Sequence, residues 1–281
     1  MPTILVPTDG STAAERAIDH AIGIVDRLGG SVHGVYAVHL QPAADYELGV
    51  GAPTIREAEE KRGEAALNTV KRRCEAADVP VETHRREGRP AAVITAAARE
   101  IDADLIAMGT HGRGGLSGPL LGSSTVAVLR EAPTPVLAIP RGADPPAGGY
   151  GTLLVATDGS EAARDAEATA IEWAQAHDAA LSGLYVVELA FSDASEVEDA
   201  LEVDGKRVLA DLDERARAAG LDVETAVESG VPHQVISERA GAVDADLIVL
   251  GAHGRGGFER AFLGSVSERT VRTASRPVLV V

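Results

Sequence analysis

Cysteine is almost missing from this chain. Cys74 stands alone among 281 residues, so no intrachain disulfide can form and no multi-cysteine metal cluster is available. Long apolar runs are missing too: nothing approaches the ~18–20 consecutive apolar residues of a membrane-spanning helix. The opening MPTILVPTDG carries no basic segment and reaches Asp9 too early for a secretory leader. These absences predict a cytoplasmic protein with no membrane contact. Aromatic residues are 3% of the chain, and only Lys61, Lys71 and Lys206 are lysines. Basic side chains number 26 against 43 acidic ones, for a net charge of −17. A chain this acidic repels a phosphate backbone, which argues against general nucleic-acid binding. Acid-rich, lysine-poor surfaces suit salt-loving cells; the plainer reading is an ordinary acidic cytosolic protein. The excess is lopsided, with 15 basic and 18 acidic residues in 1–142 but 11 and 25 in 143–281.

What is present is a repeat. ILVPTDGST at 4–12 returns as LLVATDGSE at 153–161, and VHGVYAVH at 32–39 returns as LSGLYVVE at 181–188. DADLIAMGTHGRGG at 102–115 returns as DADLIVLGAHGRGG at 244–257. The offset falls from 149 to 142 residues once, between Val38 and Val79, which places a longer loop near 41–54 of the first copy. The repeat has the size of a domain. The Pro- and Gly-rich stretch ending at Tyr150 reads as a linker. The expected organisation is a first domain over 1–142, a linker over 143–150 and a second domain over 151–281.

Within each copy, apolar runs alternate with helical patterns. TILVP, VHGVYAVH, VPVETHRR, DLIAMG and PVLAIP read as strands of the first copy. Ala14, Ile18, Ile22 and Val25 share one face of the first predicted helix; Ala66, Val70, Cys74 and Ala77 share one face of a long helix from about Thr54. Strands 1, 4 and 5 are near-continuous apolar runs, as strands covered on both faces should be. Alternating strands and helices predict a doubly wound α/β domain with a parallel sheet, present twice.

Ligands of such sheets sit beyond the carboxyl ends of the strands, where the strand order reverses. Two strand ends are chemically unusual. Strand 1 runs into Pro7-Thr8-Asp9-Gly10-Ser11. Strand 4 runs into a glycine-rich stretch, Gly109 to Gly115, and then Leu121-Gly122-Ser123-Ser124 and a helix. Glycines between strand and helix let backbone N–H groups approach an anion, and the helix start adds unpaired N–H groups and the positive end of its dipole. That chemistry suits phosphate. Neither GxxxxGK[ST] nor GxGxxG after the first strand occurs. Both copies instead carry G-x2-G-x9-G-[ST], as Gly109, Gly112, Gly122, Ser123 and as Gly251, Gly254, Gly264, Ser265.

These motifs, the PTDGS and ATDGS strand ends and the closing PVLAI and PVLVV strands make the chain resemble a tandem universal stress protein of the type with the ATP-binding motif. The resemblance covers nearly all residues. It implies a five-stranded parallel sheet of order 3-2-1-4-5 in each half, Rossmann-like and similar to the adenine nucleotide alpha hydrolases. It implies that Asp9 and Asp158 contact the nucleoside, with Pro7 beside the base; Ala156 departs from the pattern there. Ala37 and Val186 would flank adenine. Gly109, Gly112, Gly122, Ser123 and Ser124 would hold ribose and phosphates in the first copy, and Gly251, Gly254, Gly264, Ser265 and Val266 in the second. It implies an adenine nucleotide (ATP, ADP or AMP), with magnesium arriving alongside the phosphates. Family members pair through the fifth strand, so the two halves are expected to form an internal pseudo-dimer; a homodimer of chains is left open.

Plainer roles compete. Asp9 and Asp158 precede helices and suit an Asx-turn or N-cap. His111 and His253 sit in the glycine loops, where loop structure or a phosphate hydrogen bond outweighs general-base work, since no nucleophile or carboxylate partner is evident. Arg113 and Arg255 suit phosphate screening or solvated loop charge. Cys74 reads as a buried small hydrophobe and Trp173 as core. The stretch 188–204, with seven carboxylates and no basic residue, reads as a solvated face, and no metal ligands are assigned. The expected function is a non-enzymatic stress-response regulator with two nucleotide sites and no catalytic residues. A slow ATPase and an interaction scaffold with vestigial sites are the alternatives; HIGH with KMSKS and SGGxDS, signatures of adenylate-transferring enzymes, are absent.

Overall fold

The computed structural model describes the chain apart from residues 40–51, 113–120, 189–194 and 255–262, and apart from the side chains of 52–54 and 195–197. It divides into two compact units, Met1–Pro145 and Pro146–Val281. The first unit contains β1 (Thr3–Pro7), α1 (Thr12–Leu28), β2 (Ser31–Val38), α2 (Ala52–Ala76) and β3 (Val81–Glu87). It continues with α3 (Pro90–Glu100), β4 (Leu105–Gly109), α4 (Ser123–Glu131) and β5 (Val136–Ile139). The second contains β6 (Thr152–Ala156), α5 (Glu161–His177), β7 (Ala180–Val187), α6 (Ser195–Ala218) and β8 (Val223–Ser229), then α7 (Pro232–Ala242), β9 (Leu247–Leu250), α8 (Ser265–Thr273) and β10 (Val278–Val280).

All pairings within each unit are parallel. In the first, β1 lies between β2 and β4, with β3 outside β2 and β5 beside β4. The second repeats this with β6 between β7 and β9, β8 outside β7 and β10 beside β9. The order therefore reverses direction at β1/β4 and at β6/β9. The apolar strands β1, β4 and β5 are buried along their middles, whereas β3, VETHRRE, is polar and mostly open, as an outer strand tolerates.

Helix starts and stops follow from local chemistry. Ser11 and Ser160 are N-caps, each accepting at 3.3 Å from the N–H three residues on, that of Ala14 and of Ala163. In the repeated D-x-D, the first residue takes a left-handed turn, with φ 47° at Asp102 and 49° at Asp244. The second tethers the sheet: Asp104 Oδ2 accepts from Thr3 N–H at 2.8 Å, and Asp246 Oδ2 from Gly151 N–H at 2.8 Å. These carboxylates are structural.

Core placement differs from the sequence pattern in three places. On α1, Ala14, Ile18 and Val25 are buried, but Ile22 is only half-buried, and Ala17, Ala21 and Ile24 complete the stripe. On α2, Ala66, Val70 and Cys74 face inward, while Ala77 falls beyond the helix end. Trp173 is not core. It is half-buried against Tyr150, at 5.7 Å between ring centroids, and His177, at 5.4 Å. This small aromatic cluster packs Tyr150, at the end of the 143–150 segment expected as a linker, within the second unit. Ala143, at the start of that segment, belongs to the first unit, where His20 Nε2–H donates to Ala143 O at 3.2 Å. Burial pushes the His20 imidazole below its ordinary pKa and so keeps it a neutral donor. Cys74 is fully buried, and desolvation pushes its thiol up to about 11, which leaves it inert rather than nucleophilic.

Candidate functional site

The two reversal points carry the same construction. At the end of β1, Thr8 Oγ1 accepts from Gly10 N–H at 3.2 Å and Asp9 Oδ1 accepts from Ser11 N–H at 2.9 Å. At the end of β6, Thr157 and Asp158 make the same pair of turns at 3.1 and 3.0 Å. Each aspartate thus spends one oxygen on an Asx-turn. Its other oxygen faces the glycine loop of the neighbouring strand. A Cβ on Gly112 would lie 2.9 Å from Asp9 Oδ2, and one on Gly254 would lie 2.8 Å from Asp158 Oδ2. The competing readings of these aspartates therefore describe different oxygens of one side chain.

The other four motif glycines do different work. Gly109 and Gly251 end the fourth strands where the first helix crosses closely. A Cβ there would meet the Ala13 or the Ala162 backbone at 2.7 Å. Gly122 and Gly264 are N-caps of α4 and α8 with no side chain to cap with. Their own N–H groups turn back, to Thr110 O at 2.9 Å and to Ala252 O at 2.7 Å. The helix amides that remain are those of Ser123, Ser124 and Thr125, and of Ser265, Val266 and Ser267, the first-turn donors that no intrahelical carbonyl satisfies. Val266 keeps this backbone donor although it has no hydroxyl.

Two residues of this region were not singled out from sequence. Thr125 Oγ1 donates to Gly109 O at 3.2 Å, and buried Ser267 Oγ donates to Gly251 O at 2.7 Å. Each bolts the first turn of the helix to the end of the fourth strand. The signal was a hydroxyl two positions after the [ST] of both motifs. His111 Nδ1 lies 2.8 Å from Thr110 Oγ1, whereas His253 Nε2 is buried with no hydrogen-bond partner among the described residues. Arg113 and Arg255 lie outside the described residues, as do Gly114 and Gly115.

In the second unit these parts enclose a cavity of about 610 Å³, a usual size for a small-molecule site. Asp158, Val186, Gly251, Gly254, Gly264, Ser265 and Val266 all line it, together with Ala156 and His253. Apolar wall residues such as Leu201, Ile236 and Leu263 were not singled out from sequence, nor was Glu188. In the first unit Pro7 ends β1 and Ala37 lies one residue before the end of β2; both are half-buried. Ser123 is exposed at the start of α4 and Ser124 half-buried.

Fold and site together define a class: a tandem doubly wound α/β protein whose strand order reverses at the same point in each half, with a cavity at that point in the second. The chain belongs to the universal stress protein family, whose sequence profile matches residues 1–140 and again 149–281. It is 37% identical over 136 residues to universal stress protein MJ0531 of Methanocaldococcus jannaschii, across 48% of this chain and 80% of that protein. It is 33% identical over 186 residues to universal stress protein Rv2005c of Mycobacterium tuberculosis. That match spans 64% of this chain and 62% of the relative, less than two thirds of its length. A universal stress protein of Archaeoglobus fulgidus shares the fold over 99% of this chain and 95% of its own, with TM-score 0.72 and 24% identity.

Proposed function

We propose that each half binds one adenine nucleotide and that the protein acts as a non-enzymatic stress-response regulator whose state follows nucleotide supply. The observation that carries this reading is the second-half cavity. Its lining combines apolar side chains, which suit a base, with a glycine loop and the uncapped start of α8, which suit phosphates. Backbone N–H groups and a helix dipole attract anions without any lysine. Asp158 Oδ2, held by its own Asx-turn, is a fixed acceptor for a nucleoside hydroxyl or amine. Magnesium is usually held by substrate phosphates with one or two carboxylates rather than by an all-protein cage, so in this reading magnesium enters with the phosphates. Among the described residues, Asp158 and Glu188 are the acidic side chains of the cavity lining, and the reading assigns them to binding rather than turnover.

The test is calorimetric titration of the intact chain with ATP, beside Gly112→Val and Gly254→Val. Each new side chain would press on an aspartate oxygen under 3 Å away. The expected result is two sites in the parent and one in each variant. Undiminished stoichiometry in both variants would overturn the assignment. ATP consumed faster than in a protein-free control would replace the regulator by a slow ATPase. A parent with no affinity for ATP, ADP or AMP would leave only a scaffold.

A further inference from the structure

The outer edge of the first unit's sheet carries a cluster unrelated to the nucleotide crevice. β2 and β3 run parallel with His33 opposite Glu82 and Val35 opposite His84. Alternation along the strands puts Ser31, His33, Glu82 and His84 on one face. That face is turned away from α2, because the neighbouring Gly34 points its missing Cβ at Val70. His33 Nδ1 lies 3.4 Å from His84 Nε2, and Glu82 Oε2 lies 3.9 Å from each of these nitrogens. The rings are nearly parallel, at 4°. We propose that His33, Glu82 and His84 form a binding site for a borderline divalent transition-metal ion of the zinc class.

The spacing is the first argument. Two imidazole nitrogens each about 2.0–2.1 Å from a tetrahedral zinc ion lie about 3.3–3.4 Å apart. The two histidines hold that separation already. The carboxylate must move inward by about half an ångström to complete a three-ligand set at those bond lengths, and its side chain is 69% exposed and able to swing. Water would complete the fourth position, so donor type and number suit zinc, cobalt or nickel rather than calcium or magnesium.

Orientation is the second. Ser31 Oγ lies 3.3 Å from His33 Nε2. An Nε2–H donated to that hydroxyl leaves the Nδ1 lone pair facing His84 and Glu82, the outer partner that ligating histidines usually have. The third argument is internal. The repeat counterparts are Ser182, Glu224 and Ala226, and there Glu224 pairs with Arg239 instead. The same two-strand frame forms without either histidine, so the fold does not require them.

The test is a cobalt(II) titration of the full, nucleotide-free chain, followed by ligand-field absorption and then by displacement with zinc. The expected result is one equivalent of cobalt bound with the spectrum of a tetrahedral or five-coordinate ion. His33→Gln and His84→Gln should each abolish it, and Glu82→Gln should weaken binding about tenfold or more. ATP titration of each variant reports folding and should be unchanged, which separates failure here from failure of the nucleotide reading. Should His33→Gln, the more buried change, fail to fold, His84→Gln on the outer strand carries the test alone. No cobalt spectrum in the parent, or the same spectrum and affinity in folded His84→Gln, would overturn the site.

Discussion

A single aspartate in each half joins fold to site. Asp158 Oδ1 closes the turn that starts α5, while Oδ2 faces Gly254 across the crevice. The two duties can be separated by substitution. Asp158→Asn keeps an Oδ1 acceptor, so the Ser160 N–H stays satisfied and stability should hold within about 0.5 kcal/mol. On the proposed reading, nucleotide affinity at that site should still fall, because an amide would stand where a carboxylate oxygen is proposed to accept a hydrogen bond. Asp158→Ala removes both and should also cost about 1 kcal/mol of folding stability. Thermal melts beside nucleotide titrations check this. Equal affinity for parent and Asn variant would confine Asp158 to its turn. The aspartates were legible in the sequence as either turn residues or ligands, and a short residue spacing cannot say which oxygen does what. His33 and His84 were not legible at all. Fifty-one residues separate them, and only the β2/β3 register, absent from any local pattern, brings E-x-H of one strand opposite the histidine of the other.

The elements themselves were readable because their causes are local. Apolar runs made the inner strands; serine caps, prolines at first turns and glycine-rich breaks set the ends of helices. What could not be read was close approach. Gly251 looked like a phosphate glycine, yet its missing side chain makes room for the α5 backbone at Ala162. Likewise, Gly63 of α2 and Gly205 of α6 leave space for the Tyr36 and Tyr185 rings, 2.7 and 2.6 Å from where a Cβ would stand. Trp173 failed as a core residue for a related reason: its partner Tyr150 lies in the linker, outside any periodic element. Gly251→Ala tests the packing role. Its methyl group would meet backbone that cannot rotate away, so α5 must shift, at a cost of about 1–3 kcal/mol. The prediction is a lowered urea midpoint in the absence of nucleotide. A variant as stable as the parent would restore Gly251 to a purely ligand-facing role.

Across the whole molecule, duplication has kept the geometry and let the charge diverge. Residues 143–281 carry 25 acidic and 11 basic side chains, against 18 and 15 in residues 1–142. The difference reaches the crevice: Glu188 lines the second cavity, and its repeat counterpart is His39. On the proposed reading, a nucleoside triphosphate entering the second half would therefore meet more repulsion, from the domain's net charge and from a carboxylate in the wall. Salt screens the long-range part of that repulsion, since the Debye length falls from about 10 Å at 0.1 M to about 3 Å at 1 M. The two sites should then respond to salt differently. Gly254→Val isolates the first site and Gly112→Val the second. At low salt the second site should bind ATP more weakly, and its affinity should improve relative to the first as potassium chloride rises. The gap should also narrow from ATP to AMP, because each phosphate removed takes away charge that the acidic half repels. Titrating both variants with ATP and AMP at low and high potassium chloride measures all three trends. Parallel salt responses would mean that backbone amides at α8 govern affinity alone and that the acidic excess of the second half lies too far from the crevice to act.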